Sequence, residues 1–362
     1  MFANLVLTAL LALAQDKPAA APPDLDPVRA KAMSAVFQDL QKLQMEKLLP
    51  ALKTAKKPED AKKIVAEMMG PFTGKLINLA QEKPGDTVAF ECFLGVIGLS
   101  IQMEDTKTRN QAVDLLLKHH GDNSRLGIFC QMLAGGQVED GLALLDRIEK
   151  ESKNPGVRGQ AALCLAMAYQ DQAESPEVPD ATRKEALVKA ASAFARVVKD
   201  YASEKDLDDR PLGPQAEALS SLAVGKKAPE AIARDLDGKA VKLSDHKGQV
   251  IVLDIWATWC GPCRAMIPHE RKMVEKYKAK PFTLISISAD ETPDIVKTFL
   301  KKEPMPWVHW HAGPGDDSLV KKWNVRFFPT ILVLDSKGVI RYKNVRDEEL
   351  DKAVAELLAE VK

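Results

Sequence analysis

The sequence lacks an excess of charge of either sign. Lysine and arginine together number 51, aspartate and glutamate also number 51, and the formal net charge is zero. Proteins that bind nucleic acid or an anionic membrane surface usually carry clustered positive charge, which attracts the anionic partner. The balanced composition therefore predicts no general affinity for either, and we expect no nucleic-acid partner.

The sequence also lacks an apolar run long enough to cross a bilayer, which takes about 20 residues. Residues 5–14 (LVLTALLALA) are apolar but too short, so we predict no stable membrane span. Ala12 and Ala14 frame a cleavage site of the small-x-small type, which favours a signal peptide over residues 1–14. The protein is then exported, periplasmic or otherwise extracytoplasmic. Residues 1–4 carry no lysine or arginine, unlike most signal peptides, so an ordinary apolar helix is the alternative.

Cysteine is scarce, with five residues in the chain, and its spacing excludes a common metal site. Cys260 and Cys263 form a C-x-x-C pair, whereas Cys92, Cys130 and Cys164 stand alone. A structural zinc site needs four ligands, commonly a second C-x-x-C pair or a histidine pair. We therefore predict no metal site. The apolar helical context of the three lone cysteines favours buried, inert thiols, although a bridge from Cys130 to Cys92 or to Cys164 stays open.

Length and patterning predict a multidomain chain. Its 362 residues, of which 46% are hydrophobic, suffice for two packed domains. Residues 15–27 are rich in proline and alanine and predict an extended linker. Residues 28–222 follow helical spacing, as Leu142, Leu145 and Ile148 do, and predict an all-α domain. Residues 223–362 alternate strand-like and helix-like segments and predict an α/β domain.

Part of the helical domain is similar to the tetratricopeptide repeat. The matching residues are Ala162, Leu165, Ala166 and Tyr169 for the first helix and Ala190 and Phe194 for the second. The connection through Pro176 and Pro179 is longer than the repeat ordinarily uses. A simple helical bundle packed through small residues explains the same pattern, so both interpretations stay open.

The C-x-x-C pair follows a strand and opens a helix, which is the arrangement of redox cysteines. Residues 250–255 (VIVLDI) are β-branched and apolar, as in a strand covered on both faces. Helical spacing then begins near Cys263 and continues to Tyr277. Unpaired N–H groups at a helix N-terminus stabilise an anion. Cys260 should therefore ionise more readily than a free thiol, within the range of roughly 3.5 to 7.5 seen for such motifs.

From about residue 224 to its end, the chain resembles the thioredoxin fold and, most closely, the exported TlpA/ResA-like thiol-disulfide oxidoreductases. The matching segments are residues 225–229 (GKKAP), 237–238 (DG), 243–244 (LS), 256–263 (WATWCGPC), Pro268, 328–330 (FPT) and 335–338 (DSKG). The resemblance implies a thioredoxin-fold domain with a mixed central sheet and helices on both sides. It says nothing about the first 220 or so residues.

The resemblance also assigns roles to single residues. It implies that Cys260 is the attacking thiolate, that Cys263 is the resolving thiol, and that Pro329 follows a cis peptide bond, which is inexpensive before proline alone. The backbone of Phe328 would lie beside the cysteines and pair with a substrate strand. Trp259, Gly261 and Pro262 would complete the substrate-binding surface. The implied redox group is the Cys260–Cys263 disulfide without a further cofactor, and the implied partners are disulfide-containing protein substrates and an unidentified dithiol electron donor.

Asp254 is a carboxylate inside an otherwise apolar strand. Burying a charge is costly, so such a residue usually marks function or a satisfied hydrogen bond. By resemblance, Asp254 stands where thioredoxins carry a buried aspartate that moves a proton to or from the second cysteine, whereas many TlpA-like chains differ at this position. We expect it to act in catalysis, against the alternative of a solvated aspartate near the strand end.

Three functions are compatible with these features. An exported thiol-disulfide oxidoreductase is favoured, with the helical domain selecting substrate or partner, and the Gly261-Pro262 dipeptide of reducing thioredoxins favours reductase over oxidase. A related thiol peroxidase would require a P-x-x-x-T-x-x-C pattern, and no proline stands at the required position before Thr258 or Cys260. A non-catalytic helical adaptor with a redox-inert thioredoxin-like domain is the third.

Overall fold

The computed structural model describes residues 26–361 except 56, 135–137, 139, 176, 314, 316 and 317. The predicted signal peptide, nearly all of the predicted linker and Pro176 therefore lie outside the described residues. Within the described ranges, each helix is either too short or too polar to span a bilayer.

The first part of the chain is helical, as the spacing of its apolar residues predicts. Its elements are α1 (Pro27–Leu43), a π-helical turn (Gln44–Leu48), α2 (Leu49–Thr54), α3 (Pro58–Glu82), α4 (Thr87–Gln102), α5 (Thr106–His120), α6 (Leu126–Ala134), α7 (Gly141–Glu151), α8 (Pro155–Glu174), α9 (Asp180–Asp200) and α10 (Leu212–Ser221). Aspartate side chains begin several of them, because a carboxylate accepts the unpaired N–H groups of a first turn. Asp26 accepts from Val28 N at 2.9 Å, and Asp86 accepts from Ala89 N at 2.8 Å.

Helix α4 forms the core of the helical region. It is buried along most of its length and packs between α3 and α5. Its N-cap Asp86 is buried and forms an ion pair with Arg29 of α1. A buried charge requires such a partner, so this pair fixes α1 against the start of α4.

The described chain divides into two compact units, residues up to Ala161 and Ala162–Lys362. The second unit contains the end of α8, α9 and α10 together with the α/β domain. Within it, the Glu174 carboxylate accepts from Lys343 Nζ at 3.0 Å and from Val224 N at 3.1 Å. These contacts tie α8 to the α/β domain, and the boundary at residues 222/223 stays a prediction.

The second unit ends in an α/β domain. Its elements are β1 (Ile232–Asp235), β2 (Ala240–Lys242), a 3₁₀ turn (Leu243–His246), β3 (Val250–Trp256), α11 (Gly261–Tyr277), β4 (Phe282–Ser288), α12 (Pro293–Lys302), β5 (Val308–His311), α13 (Leu319–Lys322), β6 (Thr330–Leu334), β7 (Ile340–Lys343) and α14 (Asp347–Glu360). The strands form one sheet in the order β2-β1-β5-β4-β3-β6-β7. Pairs β3–β4 and β4–β5 are parallel, and the other pairs are antiparallel.

Strand β3 lies inside the sheet, and all of its residues are buried. Because side chains alternate across a strand, Ile251, Leu253 and Ile255 enter one apolar core. Val250 and Val252 enter a second core, on the face covered by α11 and α14. The predicted fold class, a helical region followed by a thioredoxin-fold domain with a mixed sheet, is confirmed.

Candidate active site at the start of helix α11

Cys260 occupies the N-cap of α11, directly after the turn that follows β3. Its sulfur accepts a hydrogen bond from the backbone N–H of Cys263 at 3.2 Å, and the two sulfurs are joined in a disulfide. A sulfur held at unpaired helix N–H groups is stabilised as a thiolate once the disulfide is reduced. The geometry therefore provides the anion-stabilising contact that the sequence predicts.

The two sulfurs lie under an exposed rim. Cys260 is 6% exposed and Cys263 is 4% exposed, so the disulfide form conceals both residues almost equally. Trp259 is 67% exposed, and Gly261 and Pro262 are exposed as well. These three exposed residues flank Cys260 in the chain.

The loop before β6 brings the predicted Phe328 and Pro329 to the same rim. The Phe328–Pro329 peptide bond is cis, as the resemblance implies. The Phe328 ring meets the Trp259 ring edge-on, with 5.6 Å between the ring centroids. Phe327, which the sequence interpretation missed, is exposed beside them. The aromatic side chains form an apolar surface next to the disulfide.

Asp290 fixes the turn that carries the cysteines. Its carboxylate accepts from the Thr258 backbone N at 3.0 Å and from the Thr258 hydroxyl at 2.7 Å. It also accepts from the Ser288 hydroxyl at 2.8 Å. Asp290 was not predicted, since an aspartate directly after a strand looks like an ordinary loop residue. Only the pairing of β3 with β4 reveals that it reaches Thr258.

Asp254 lies on β3, the strand that leads into the turn before α11, and is 4% exposed. Its Oδ2 accepts a hydrogen bond from the Ser286 hydroxyl at 3.3 Å, and the Trp307 indole donates to the same hydroxyl at 2.8 Å. Burial raises the pKa of Asp254 to about 7, although the Ser286 hydrogen bond and the positive charge of Arg346 act in the opposite direction. A carboxyl with this pKa can take up or release a proton at neutral pH, so the alternative of a solvated aspartate is wrong.

Glu270 is a second buried carboxyl that the sequence interpretation missed. It lies on α11 and is 1% exposed. Burial, and secondly the charge of Asp254, raise the pKa of Glu270 well above its usual value. A signal was present in the sequence: Glu270 occupies the same helical stripe as Cys263, Met266 and Met273, where a charged residue is unexpected.

The remaining cysteines are buried in the helical region, as predicted. Burial raises the pKa of the Cys92 and Cys164 thiols to about 12, which keeps both protonated at neutral pH. Cys130 is buried as well. Among the described residues, no group of three or more histidine, cysteine, aspartate or glutamate side chains is arranged to hold a metal ion.

Known proteins share the α/β part of this chain. Residues 223–359 match the Redoxin family. The thiol-disulfide oxidoreductase ResA of Bacillus thuringiensis subsp. konkukian (strain 97-27) is 31% identical over 140 residues, which cover 39% of this chain and 79% of that protein. The thioredoxin-like protein YneN of Bacillus subtilis (strain 168) is 31% identical over 120 residues, which cover 32% of this chain and 68% of that protein.

Solved structures match the same region. The crystal structure of a putative thiol:disulfide interchange protein DsbE from Chlorobium tepidum is 32% identical, with a TM-score of 0.35. The match covers 38% of this chain and 99% of that one.

Alkylation of the reduced protein tests the chemical difference among the thiols. We expect the rate at which Cys260 reacts with iodoacetamide to be half-maximal at a pH below about 8.5, the pKa of a free thiol. The reason is that the Cys263 N–H stabilises the Cys260 thiolate. Cys92 and Cys164 should stay unmodified in the folded protein. Mass mapping across pH measures both, and Cys263→Ser removes the other site thiol as a control. A midpoint for Cys260 at or above that of free cysteine would contradict the geometry.

Proposed function

This chain belongs to the ResA-like thiol-disulfide oxidoreductases of the Redoxin family, and on that premise we propose that it reduces disulfide bonds in exported proteins. The observation that carries the proposal is the Cys260–Cys263 disulfide at the start of α11, beside the exposed Trp259 and the cis Pro329. The Cys260 sulfur lies at the N-terminus of the helix and next to the apolar rim. At such a site, the sulfur can attack a disulfide bond in an extended substrate segment.

The reaction runs in two exchanges. The Cys260 thiolate attacks one sulfur of the substrate disulfide, that bond breaks, and the first substrate thiolate leaves. Cys263 then loses its proton and attacks the Cys260 sulfur, which releases the second substrate thiolate and forms the Cys260–Cys263 disulfide. Two electrons pass to the substrate. A dithiol donor restores the two thiols by the same exchanges in reverse.

Substrate binding is assigned to the rim around Cys260. The backbone of Phe328, next to Pro329, accepts an extended substrate segment as an added strand. Trp259 contributes exposed apolar surface, and Gly261 and Pro262 leave the approach to the sulfur free of bulky side chains. The same Gly261-Pro262 dipeptide supports the reducing direction, since the residues between the cysteines help to set the reduction potential.

Asp254 is proposed as the acceptor of the Cys263 proton. The thiol must ionise before it can attack, and a buried base with a pKa near the working pH is suited to that transfer. The burial of Asp254 on β3, the strand that leads to the turn before α11, and its pKa of about 7 support this role.

The remainder of the chain is assigned to delivery and selection. We place a signal peptide at residues 1–14, a linker at 15–27, a helical domain at 28–222 and the redox domain at 223–362. The helical domain would select the substrate or the electron-donating partner. Substrates that are trapped as mixed disulfides on Cys260 test this assignment. A chemical cross-linker should also join them to residues of the helical domain.

Loss of either cysteine should stop turnover at a different stage. In a protein-disulfide reduction assay, Cys260→Ser should be inactive, because no thiolate begins the exchange. Cys263→Ser should instead accumulate mixed disulfides on Cys260, visible on a non-reducing gel, since nothing resolves them. Full activity of Cys260→Ser would remove the enzyme proposal and leave the adaptor function.

Asp254→Asn should slow disulfide reduction about 100-fold near neutral pH, the lower range for loss of a general base. The wild-type rate should rise through about pH 7 as Asp254 ionises, and the variant should lose this rise. Because its pKa is raised in the folded protein, the neutral form of Asp254 contributes to the stability of the fold, and this contribution is lost as pH rises from about 4 through 7. An asparagine stays neutral at every pH, so the Asp254→Asn variant should fold.

The control for Asp254→Asn is Asp39→Asn, which changes an exposed aspartate of α1. Stopped-flow rates across neutral and mildly alkaline pH provide the comparison. A variant profile that coincides with that of wild type would eliminate the proton-transfer role.

Export should leave a processed N-terminus. Sequencing of the secreted or periplasmic protein should begin at Gln15, because cleavage is proposed after Ala14. An intact Met1 on a cytoplasmic form would refute the export proposal.

A further inference from the structure

Helix α11 carries a second carboxyl on the face that packs against the sheet. Glu270 is seven positions beyond Cys263, or about two helical turns. It shares the buried face of α11 with Met266 and Met273, which pack in the core against β3. Glu270 therefore faces the sheet rather than solvent.

Asp254 faces the space between the sheet and α11 from the side of the sheet. Side chains alternate along β3, so Asp254 shares a face with Val250 and Val252, which contact the core beneath α11. Burial and, secondly, the charge of Asp254 raise the pKa of Glu270. The two carboxyl groups therefore occupy one buried space between β3 and α11.

Each carboxyl has an unpaired oxygen in this space. Asp254 Oδ1 and Glu270 Oε1 are buried and have no hydrogen-bond partner among the residues that the structure describes. Buried polar atoms are nearly always paired, and an ionised carboxylate can only accept hydrogen bonds. A proton on either group supplies the missing donor.

The surrounding groups supply little positive charge. Ser286 of β4 and Trp307 are neutral donors. His309 of β5 stacks on Trp307, and burial lowers its pKa. Arg346 is the cation that lowers the pKa of Asp254.

Cys263 and Tyr277 are further titratable groups on the buried face of α11, and the partly exposed pair of His269 and Asp351 joins α11 to α14 at 3.2 Å. Two negative charges at close range in a buried space are strongly unfavourable. The surroundings are therefore suited to one negative charge and not to two.

We propose that Glu270 shares one proton with Asp254, so that the two carboxyl groups act as a single base for the Cys263 thiol. This inference rests on the proposed reductase function and adds a positioning residue that acts through Asp254. In the resolving step, the S–H bond of Cys263 breaks and its proton goes to the singly protonated pair. The sulfur electron pair forms the bond to Cys260, and the substrate leaves as a thiolate.

Glu270→Gln tests the sharing through the pH profile of the resolving step. The variant keeps the size and polarity of the side chain but cannot ionise. The midpoint of the rate should rise by about one pH unit, because Asp254 loses the shared proton that stabilises its ionised form. Rapid-mixing measurements on a preformed mixed disulfide give the midpoint. Glu275→Gln, an exposed position of the same helix, is the matched control and should not shift it.

Infrared spectroscopy of the oxidised protein reports the shared proton directly, since neither cysteine then titrates. Above the wild-type midpoint, the carbonyl stretch of one buried protonated carboxyl should persist in wild type and in Asp254→Asn. In Glu270→Gln it should vanish above the midpoint of that variant. If that variant does not fold, the wild-type titration decides, because a shared proton requires carboxyl protonation to be lost in two separate steps.

The outcomes separate the two proposals. An unshifted midpoint in Glu270→Gln, or loss of carboxyl protonation in one step, would overturn the sharing and leave Asp254 as the sole base. An unchanged profile in Asp254→Asn would instead remove the proton transfer on which this inference depends. Inactivity of the wild-type protein towards disulfides would remove the proposed function itself.

Discussion

The hydrogen bond from the Cys263 amide to the Cys260 sulfur exists because α11 begins at Gly261, directly after the cysteine. A helix leaves its first N–H groups without partners inside the helix, and here one of them meets the sulfur that becomes a thiolate on reduction. The position of the helix start is in turn fixed by β3, which enters the turn from the buried sheet, and by Asp290, which holds Thr258. Reactivity at Cys260 thus depends on the rigidity of this junction.

The same junction creates a demand for proton transfer. Packing α11 over β3 removes Cys263, Asp254 and Glu270 from water, and burial favours the neutral form of each acid. A buried thiol that must ionise needs a nearby base that can accept its proton at the working pH. In the mechanism proposed above, Asp254 and Glu270 meet this need together, because they share one proton.

The family relationship covers the α/β domain and leaves the helical region unexplained. The end of α8, with α9 and α10, nevertheless belongs to the same compact unit as that domain, and Glu174 joins α8 to β7 through Lys343. Arg326, which precedes the aromatic loop at Pro329, donates to Gln215 of α10 at 2.9 Å. The loop that borders the disulfide is therefore held partly by helices outside the thioredoxin fold.

The sequence by itself determined the residues of the candidate site: the C-x-x-C pair, the strand before it, the helix after it, Pro329 and Asp254 all come from local pattern or from short motifs. Only the tertiary structure decided how distant segments meet. Ser286 reaches Asp254 of β3, and Asp290 reaches Thr258 just beyond it, each across 32 positions of the chain. Glu270 faces the sheet because α11 packs over it. Periodicity shows which face of an element is buried, but the partner on the opposite face is set by packing between elements, which a local pattern does not encode.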